Sequence, residues 1–286
     1  MNPTPTDPRL PHPPPPLRPE PGGAFGLIII GDEILSGKRA DKHLPKVIEL
    51  LAARGLSLAW ARYVGDDRAR ITADLADAFA SGDVVFCCGG IGATPDDHTR
   101  QSAAAALGVP LVLHPDAREL IMERVRTMAA EQGLSADPAH PDTLRRLEMG
   151  VFPQGSNIVP NPFNKIPGFS VGEVHFVPGF PVMAHPMIES LLDGRYAHLH
   201  GSHAQSERSV IVFGAMEATL TPLMVALETQ FPGVKVFSLP SVDHPQWGRH
   251  IELGVKGEAA AVDAAYAGLM AGLHAHGAKL GTELVR

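Results

Sequence analysis

Paired cysteines, an excess of basic residues and long apolar runs are all missing from this chain. It has two cysteines, Cys87 and Cys88, side by side in an apolar run. Neighbouring residues of a strand point to opposite faces, so these two are poor disulfide partners. Without a disulfide framework, a reducing compartment is expected. No cation stands beside them to favour a thiolate, so both read as small core residues rather than catalytic thiols. Lys and Arg number 24 against 31 Asp and Glu, for a net charge of −7. That excludes the domain-wide basic footprint of a general nucleic-acid binder. The longest apolar stretches, such as 25–30 and 84–88, are far too short to span a bilayer. The first 24 residues hold ten prolines and no apolar signal-like segment, so no secretory signal is expected and a cytoplasmic protein is. They read as a disordered tail leaning to polyproline II. Within it the run PHPPPPLRP (11–19) has the composition that SH3-like grooves bind, although a plain solvated tail explains it more simply.

What is present is an alternation of strands and helices. FGLIII (25–30) is a continuous apolar run, as in a strand buried on both faces. Leu44, Val47, Ile48, Leu50 and Leu51 have helical spacing over 42–54, with Asp41 as a cap and Gly55 as a stop. LSLAWARYV (56–64) reads as a second strand. Asp66 and Asp67 then precede a helix with Ile71, Leu75, Ala78 and Phe79 on one face, stopped by Gly82. DVVFCC (83–88) is a third buried strand, and TRQSAAAALG (99–108) a short helix with a glycine C-cap. A helix over 116–132 follows, then a proline-dotted stretch, 138–168, that reads mostly as loop. EVHFVPGFP (173–181) gives a strand and a turn, and 183–194 a helix with Pro186 in its first turn. The alternation predicts an α/β fold, a three-layer α/β/α sandwich around a mostly parallel sheet. HLHGSHAQSE (198–207) is linker-like, and the order β-α-β-β-α after it predicts a small α+β module. The expected organisation is a tail over 1–24, an α/β domain over 25–197 and an α+β domain over 205–286.

Ligands of parallel α/β sheets bind beyond the carboxyl ends of the strands, where the loops 31–37, 65–67 and 89–97 fall. The stretch VVFCCGGIGATPDDHTR (84–100) is not a P-loop, because no Gly-Lys-Ser/Thr follows. Nor is it a dinucleotide fingerprint, since Pro95 stands where the third glycine belongs. Its glycines can let backbone amides approach an anion at a helix N-terminus, and can equally serve a tight turn. The carboxylates weigh further. Asp32 with Glu33, Asp66 with Asp67, and Asp96 with Asp97 are each explicable as helix caps, yet three acidic pairs at three strand ends converge in space. A phosphate held among them requires something positive, and a hard divalent cation bound by carboxylate and phosphate oxygens is the economical answer. The chemistry implied is phosphoryl or nucleotidyl transfer, or pyrophosphate hydrolysis. Lys38, Arg39, His98, Arg100 and Lys165 are available to touch phosphate. His198, His200 and His203 form an H-x-H-x-x-H cluster that reads as solvated histidines more readily than as a metal site. No nucleophile elbow and no Ser-His-Asp order appears.

The motifs IGDEILSG (30–37), VGDDRARI (64–71), GGIGATPDDHTR (89–100), NPFNKIPGF (161–169) and VPGFPVMAHPMIE (177–189) resemble the molybdopterin-binding, MoaB/Mog-like domain family. The nearest branch is the N-terminal part of CinA-type competence/damage-inducible proteins. The resemblance covers about 25–195. More weakly, 205–286 resembles the KH-like module that follows in CinA-type proteins. It implies the sandwich fold with one antiparallel strand. It also implies functional roles for Asp66 and Asp97, which would be catalytic and, with Asp32, would hold a divalent metal (Mg, Mn or Co). Gly89, Gly90 and Gly92 would cradle a phosphate of a pterin or nucleotide, with Thr94 and the first-motif residues Gly31, Ser36 and Gly37 completing the ligand-binding set. The activity implied is metal-dependent hydrolysis of nucleotide diphosphates such as ADP-ribose or FAD. The alternatives are molybdopterin binding without turnover and molybdopterin adenylyl transfer. A homo-oligomer is expected on the same grounds, and neither deamidase activity nor a role in competence is carried over.

Overall fold

The structure, a computed structural model, describes residues 23–201 and 205–285. Of the expected tail only Gly23 and Ala24 are described, and His203 also lies outside the described residues. The chain divides into two compact units between His198 and Leu199.

Among its described residues the first unit holds eight strands: β1 (Phe25–Ile30), β2 (Leu58–Val64), β3 (Val84–Cys88), β4 (Leu111–Leu113), β5 (Val151–Pro153), β6 (Asn157–Val159), β7 (Gly168–Val171) and β8 (Val174–Val177). Six of them form one sheet in the order β2-β1-β3-β8-β7-β6, and β4 pairs with β5 in a separate ribbon. β2, β1, β3 and β8 run parallel; β7 is antiparallel to both its neighbours. β1 and β3 are buried at every residue, which is why their sequences are unbroken apolar runs. The helices are α1 (Asp32–Leu35), α2 (His43–Ala52), α3 (Arg68–Ser81), α4 (Thr99–Leu107), α5 (Pro115–Glu131), α6 (Pro141–Glu148) and α7 (Pro181–Gly194). Cys87 and Cys88 are buried, free thiols, and burial raises the pKa of both. No helix among the described residues is long and apolar enough to cross a membrane.

Two helices of the first unit differ from the sequence expectation. The stretch 138–168 contains α6, whose first turn is set by Pro141 and capped by His140, which accepts from the Asp142 amide at 3.2 Å. Proline at the first helical position is preorganised rather than disruptive. α7 likewise starts at Pro181, so Pro186 lies inside the helix and not in its first turn.

A stacked trio anchors the core beyond β8. The Phe152 and Phe169 rings lie 4.7 Å apart and those of Phe169 and Phe176 4.3 Å apart. A buried polar chain crosses the same region. Ser170 Oγ meets His175 Nδ1 at 2.7 Å, His175 Nε2 meets the Tyr196 hydroxyl at 2.5 Å, and Tyr196 donates to Glu173. One tautomer satisfies all of it: Ser170 donates to Nδ1, and Nε2–H donates to the tyrosine oxygen.

The second unit comprises β9 (Gln205–Phe213), α8 (Glu217–Gln230), β10 (Lys235–His244), β11 (Gly248–Glu258), α9 (Ala259–Ala275) and β12 (Lys279–Val285). Its antiparallel sheet has the order β10-β11-β9-β12. Val210, Val212, Leu253, Val255, Leu269 and Leu273 form its core. The sequence reading ends at α9. β12, an edge strand whose residues are mostly exposed, completes a β-α-β-β-α-β arrangement.

Replacing Phe169 with Ala is expected to lower stability by about 3–5 kcal/mol, read by urea unfolding. His175 gives a second prediction. Its pKa is pushed down to about 3, chiefly by burial and then by nearby Arg195. An unfolded imidazole ionises near about 6.5. Below that value the unfolded chain takes up a proton that the folded one refuses. Stability is therefore full above about pH 6.5 and falls towards pH 3, by about 1.4 kcal/mol per pH unit from this group. Denaturation at stepped pH should find that slope in the wild type and a shallower one in His175→Gln.

Candidate functional site

The parallel strands β1, β2, β3 and β8 all end at one cleft of about 460 Å³. Ile30 and Gly31 line it from the end of β1, Asp66 from β2, the glycine loop from β3, and Pro178 and Gly179 from β8. This is the position that a parallel sheet reserves for ligands.

Two of the loops are fastened to each other by their own carboxylates. The Asp32 amide donates to Asp66 Oδ2 at 3.0 Å, and the Asp66 amide donates to Asp32 Oδ1 at 3.1 Å. Gly65 makes this approach possible, because a Cβ there would stand 2.5 Å from Asp32 Oδ1. Asp67 instead caps α3, accepting from the Arg70 amide at 2.8 Å. Burial raises the pKa of Asp66, and the charges of Asp32, Glu33 and Asp96 push it the same way against the amide bond, which lowers it.

The glycine loop is held from beneath by Thr99. Its amide donates to the Gly90 carbonyl at 3.0 Å and its hydroxyl to the Gly89 carbonyl at 2.9 Å. Gly90 has φ 68°, and a Cβ there would lie 2.1 Å from the Thr99 hydroxyl; only glycine meets both conditions. Further along, Asp97 Oδ2 accepts from the Thr94 amide at 2.8 Å and from its hydroxyl at 2.5 Å. The Thr94 hydroxyl beside Asp96 lowers that carboxyl's pKa.

Asp66, Asp97, Gly31, Gly89, Gly90, Gly92 and Thr94 all line the cleft. Asp32 lies outside the lining, one hydrogen bond behind Asp66. Ser36 and Gly37 close the short helix α1, their amides donating to the carbonyls of Asp32 and Ile34. Of the cations, Arg39 lines the cleft. Arg100 is buried and donates to the carbonyls of Gly92 and Glu148, which ties the glycine loop to the end of α6 and turns the guanidinium away from a phosphate role. Burial lowers its pKa. Lys165 is paired with Glu123.

The opposite, apolar wall has no role assigned to it from the sequence, although most of it falls within the motifs 161–169 and 177–189. It consists of Met149, Ile166, Pro167, Phe180 and Met183, with Asn161 and Asn164. Phe180 is 56% exposed. Asn161 shapes its loop by donating to Asn164 Oδ1 and the Ile166 carbonyl, both at 2.9 Å. His43 likewise has no role assigned to it from the sequence. Its Nε2 lies 3.1 Å from the Gly179 carbonyl, steadying the β8 side of the cleft.

No group of three His, Cys, Asp or Glu side chains suited to a metal ion occurs among the described residues. A closed metal cage therefore does not fit this site. One or two carboxylates completed by phosphate oxygens, the usual mode of Mg²⁺ at nucleotide sites, does fit Asp66 and Asp97.

A mainly parallel α/β sandwich with an acidic, glycine-edged cleft at its strand ends is a small-molecule-binding domain. Residues 26–198 match the family described as "Probable molybdopterin binding domain", and the chain belongs to that family. It is 35% identical over 160 residues to a CinA-like protein of Anaeromyxobacter sp. (strain Fw109-5), a match spanning 54% of this chain and 37% of that one. The chain thus matches little more than a third of that relative's length. A protein of Pyrobaculum calidifontis is 30% identical over 236 residues, spanning 79% of this chain and 85% of that one. Among solved structures, the CinA protein of unknown function from Thermoplasma acidophilum superposes with a TM-score of 0.51 at 26% identity. That match covers 61% of this chain and 98% of the other.

Asp66→Asn tests the electrostatics of the site. A carboxyl with a raised pKa adds stability while protonated, below its unfolded value, and that contribution is lost as pH rises through the folded value. The amide cannot ionise and still accepts from the Asp32 N–H. The variant should melt above the wild type at pH 7, with the gap narrowing as pH falls below the carboxylate range.

Proposed function

We propose that the cleft binds a compound joining a planar heterocycle to a phosphate or diphosphate, and that it hydrolyses nucleotide diphosphates such as ADP-ribose or FAD with a divalent cation. The observation that carries this reading is that Asp66 and Asp97 share one cleft with the Gly89–Gly92 loop and with an apolar wall. The Gly89 amide already donates to the Val177 carbonyl at 3.0 Å, so it is the loop amides beyond Gly89 that suit phosphate oxygens. Phe180, Met183 and Ile166 offer the flat apolar surface that an adenine, isoalloxazine or pterin ring stacks on.

On this reading Asp66 and Asp97 would hold the cation. When bound, Mg²⁺, Mn²⁺ or Co²⁺ supplies charge neutralisation for the phosphoryl oxygens. Arg39 adds a positive charge from the chain itself. The bond formed runs from a water oxygen to one phosphorus. The bond broken joins that phosphorus to the bridging oxygen, which leaves with the other phosphate. The water's proton passes to a carboxylate of the cleft.

The family's description favours a second reading, in which a molybdopterin is bound without hydrolysis or is adenylylated. The same apolar wall and glycine loop serve it equally, so turnover distinguishes the two. The full chain should release AMP from ADP-ribose or FAD in the presence of Mg²⁺, Mn²⁺ or Co²⁺ and not in EDTA, with products read by mass spectrometry. Asp97→Asn should lower the rate by about 100-fold or more while ADP-ribose binding, followed by calorimetry, persists. Absence of turnover across ADP-ribose, FAD, NADH and ATP, together with tight molybdopterin binding, would replace the hydrolase with the binding reading.

A further inference from the structure

Behind the cleft, the starts of α2 and α7 are joined by one imidazole. His43, the first residue of α2, is 4% exposed. Its backbone is fixed locally: the Asp41 carboxylate accepts from the His43 amide at 2.7 Å, the Leu44 amide at 3.0 Å and the Tyr63 hydroxyl at 2.8 Å. Its side chain meets the α7 segment at two points. Nε2 lies 3.1 Å from the carbonyl of Gly179, just before the helix. The ring also meets that of His185, inside the helix, edge-on, with centroids 5.3 Å apart and planes at 87°. Phe180, the N-cap of α7, stands between those two points in the chain. Its carbonyl accepts from the Met183 and Ala184 amides, both at 2.9 Å. Phe180 and Met183 line the cleft, and His43 stands behind that lining.

A carbonyl accepts and does not donate, so Nε2 carries the proton and Nδ1 is bare. That Nδ1 is buried with no hydrogen-bond partner among the described residues. An unpartnered buried nitrogen costs stability, and an apolar side chain would pack here without that cost. Packing therefore does not account for a histidine at this position, whereas the bond to Gly179 does. Burial lowers the pKa of His43, which keeps the ring a neutral donor at neutral pH. Gly179 is also where the turn after β8 meets the glycine loop: a Cβ there would stand 3.4 Å from the Gly89 Cα. The carbonyl held by His43 thus belongs to the residue packed on the glycine loop, one position before Phe180.

We propose that His43 is a positioning residue that favours ligands carrying a planar ring: through the Gly179 carbonyl it fixes where Phe180 stands relative to the glycine loop. On the reading of the cleft as a site for a heterocycle joined to phosphate, on which this inference rests, His43 sets the ring-binding half. The Phe180 side chain is 56% exposed, so its place is set by its backbone more than by packing. Losing the bond to Gly179 spreads Phe180 over more positions. Stacking on a ligand ring then costs more ordering, while contacts at the glycine rim are unchanged.

Two probes that share a diphosphate unit and differ by a nucleoside test this on the full chain. One is α,β-methylene-ADP, whose P–C–P link resists hydrolysis, and the other is methylenediphosphonate, each titrated with Mg²⁺ by calorimetry. The wild type should bind the nucleoside probe more tightly. His43→Phe, which keeps a ring and loses the donor, should weaken binding of the nucleoside probe by about five- to tenfold and leave the other within about twofold. His43→Gln, whose side-chain amide donates from the place of Nε2, should restore it. Hydrogen exchange by mass spectrometry reads the same bond without a ligand. The Met183 and Ala184 amides should exchange about fivefold faster in His43→Phe and at the wild-type rate in His43→Gln. An unchanged nucleoside preference in His43→Phe would overturn the proposal, as would unchanged exchange or an equal fall in affinity for both probes. A wild type without nucleoside preference, alongside faster exchange in His43→Phe, would sink the ring reading of the cleft and the selecting role with it.

Discussion

The reciprocal bonds between Asp32 and Asp66 are the constraint on which the candidate site depends. Loops after neighbouring parallel strands are joined to different helices, and nothing in the sheet itself fixes one against the other. Here each loop supplies an amide to the other's carboxylate. Hydrogen bonds to ionised acceptors are stronger than neutral ones, but the same bonds bring two like charges together. The raised pKa of Asp66 records that tension, with burial as its larger part. Gly65 is the steric condition for the arrangement. The acidic edge of the cleft is thus held by backbone groups and not by counter-ions.

The glycine loop is fixed by a similar economy. Thr99 occupies both carbonyls at its start, and Arg100 occupies the carbonyl of Gly92. With these carbonyls engaged on the protein side, the loop is a rigid rim. Arg100 is informative in this respect. An arginine next to a glycine loop and two aspartates suggests a phosphate ligand, yet its burial and its bonds to Gly92 and Glu148 make it a strut between the loop and α6.

The two halves of this site are legible in the sequence by different routes. Strands buried on both faces announce themselves as apolar runs, so β1 and β3, and the loops that follow them, can be found by reading. Carboxylates and glycines at those positions also serve as caps and turns, as Asp67 does for α3, but their convergence at neighbouring strand ends marks the site. The apolar wall is legible through the family motifs 161–169 and 177–189 and not through its residue types. Met149 and Ile166 come from the proline-dotted stretch that reads as loop, Phe180 and Met183 from the turn after β8 and the start of α7, and tertiary packing brings them together. α6 is hidden in the proline-dotted stretch because Pro141 reads as a breaker while standing at the one helical position that favours it. β12 is hidden because an exposed edge strand need not alternate clearly between apolar and polar residues. Ile48, 48% exposed, shows a different limit: periodicity identifies the apolar face of α2 but does not say whether the fold covers all of it.

The charge balance of the cleft constrains any ligand further. Glu33, Asp66, Asp96 and Asp97 line it, with Arg39 as the cation among the described lining residues. An unaccompanied diphosphate would enter a field of its own sign. The loop amides and one guanidinium do not offset four carboxylates. Such a site either takes a ligand whose anionic groups stay at the glycine rim, away from Asp66, or takes the anion together with a divalent cation. Asp66 senses the difference. A cation beside it would favour the ionised carboxylate and bring its raised pKa down, whereas a phosphate arriving alone would raise it further. The ionisation of this one side chain therefore reports which kind of ligand the cleft accepts, independently of whether any bond is broken there.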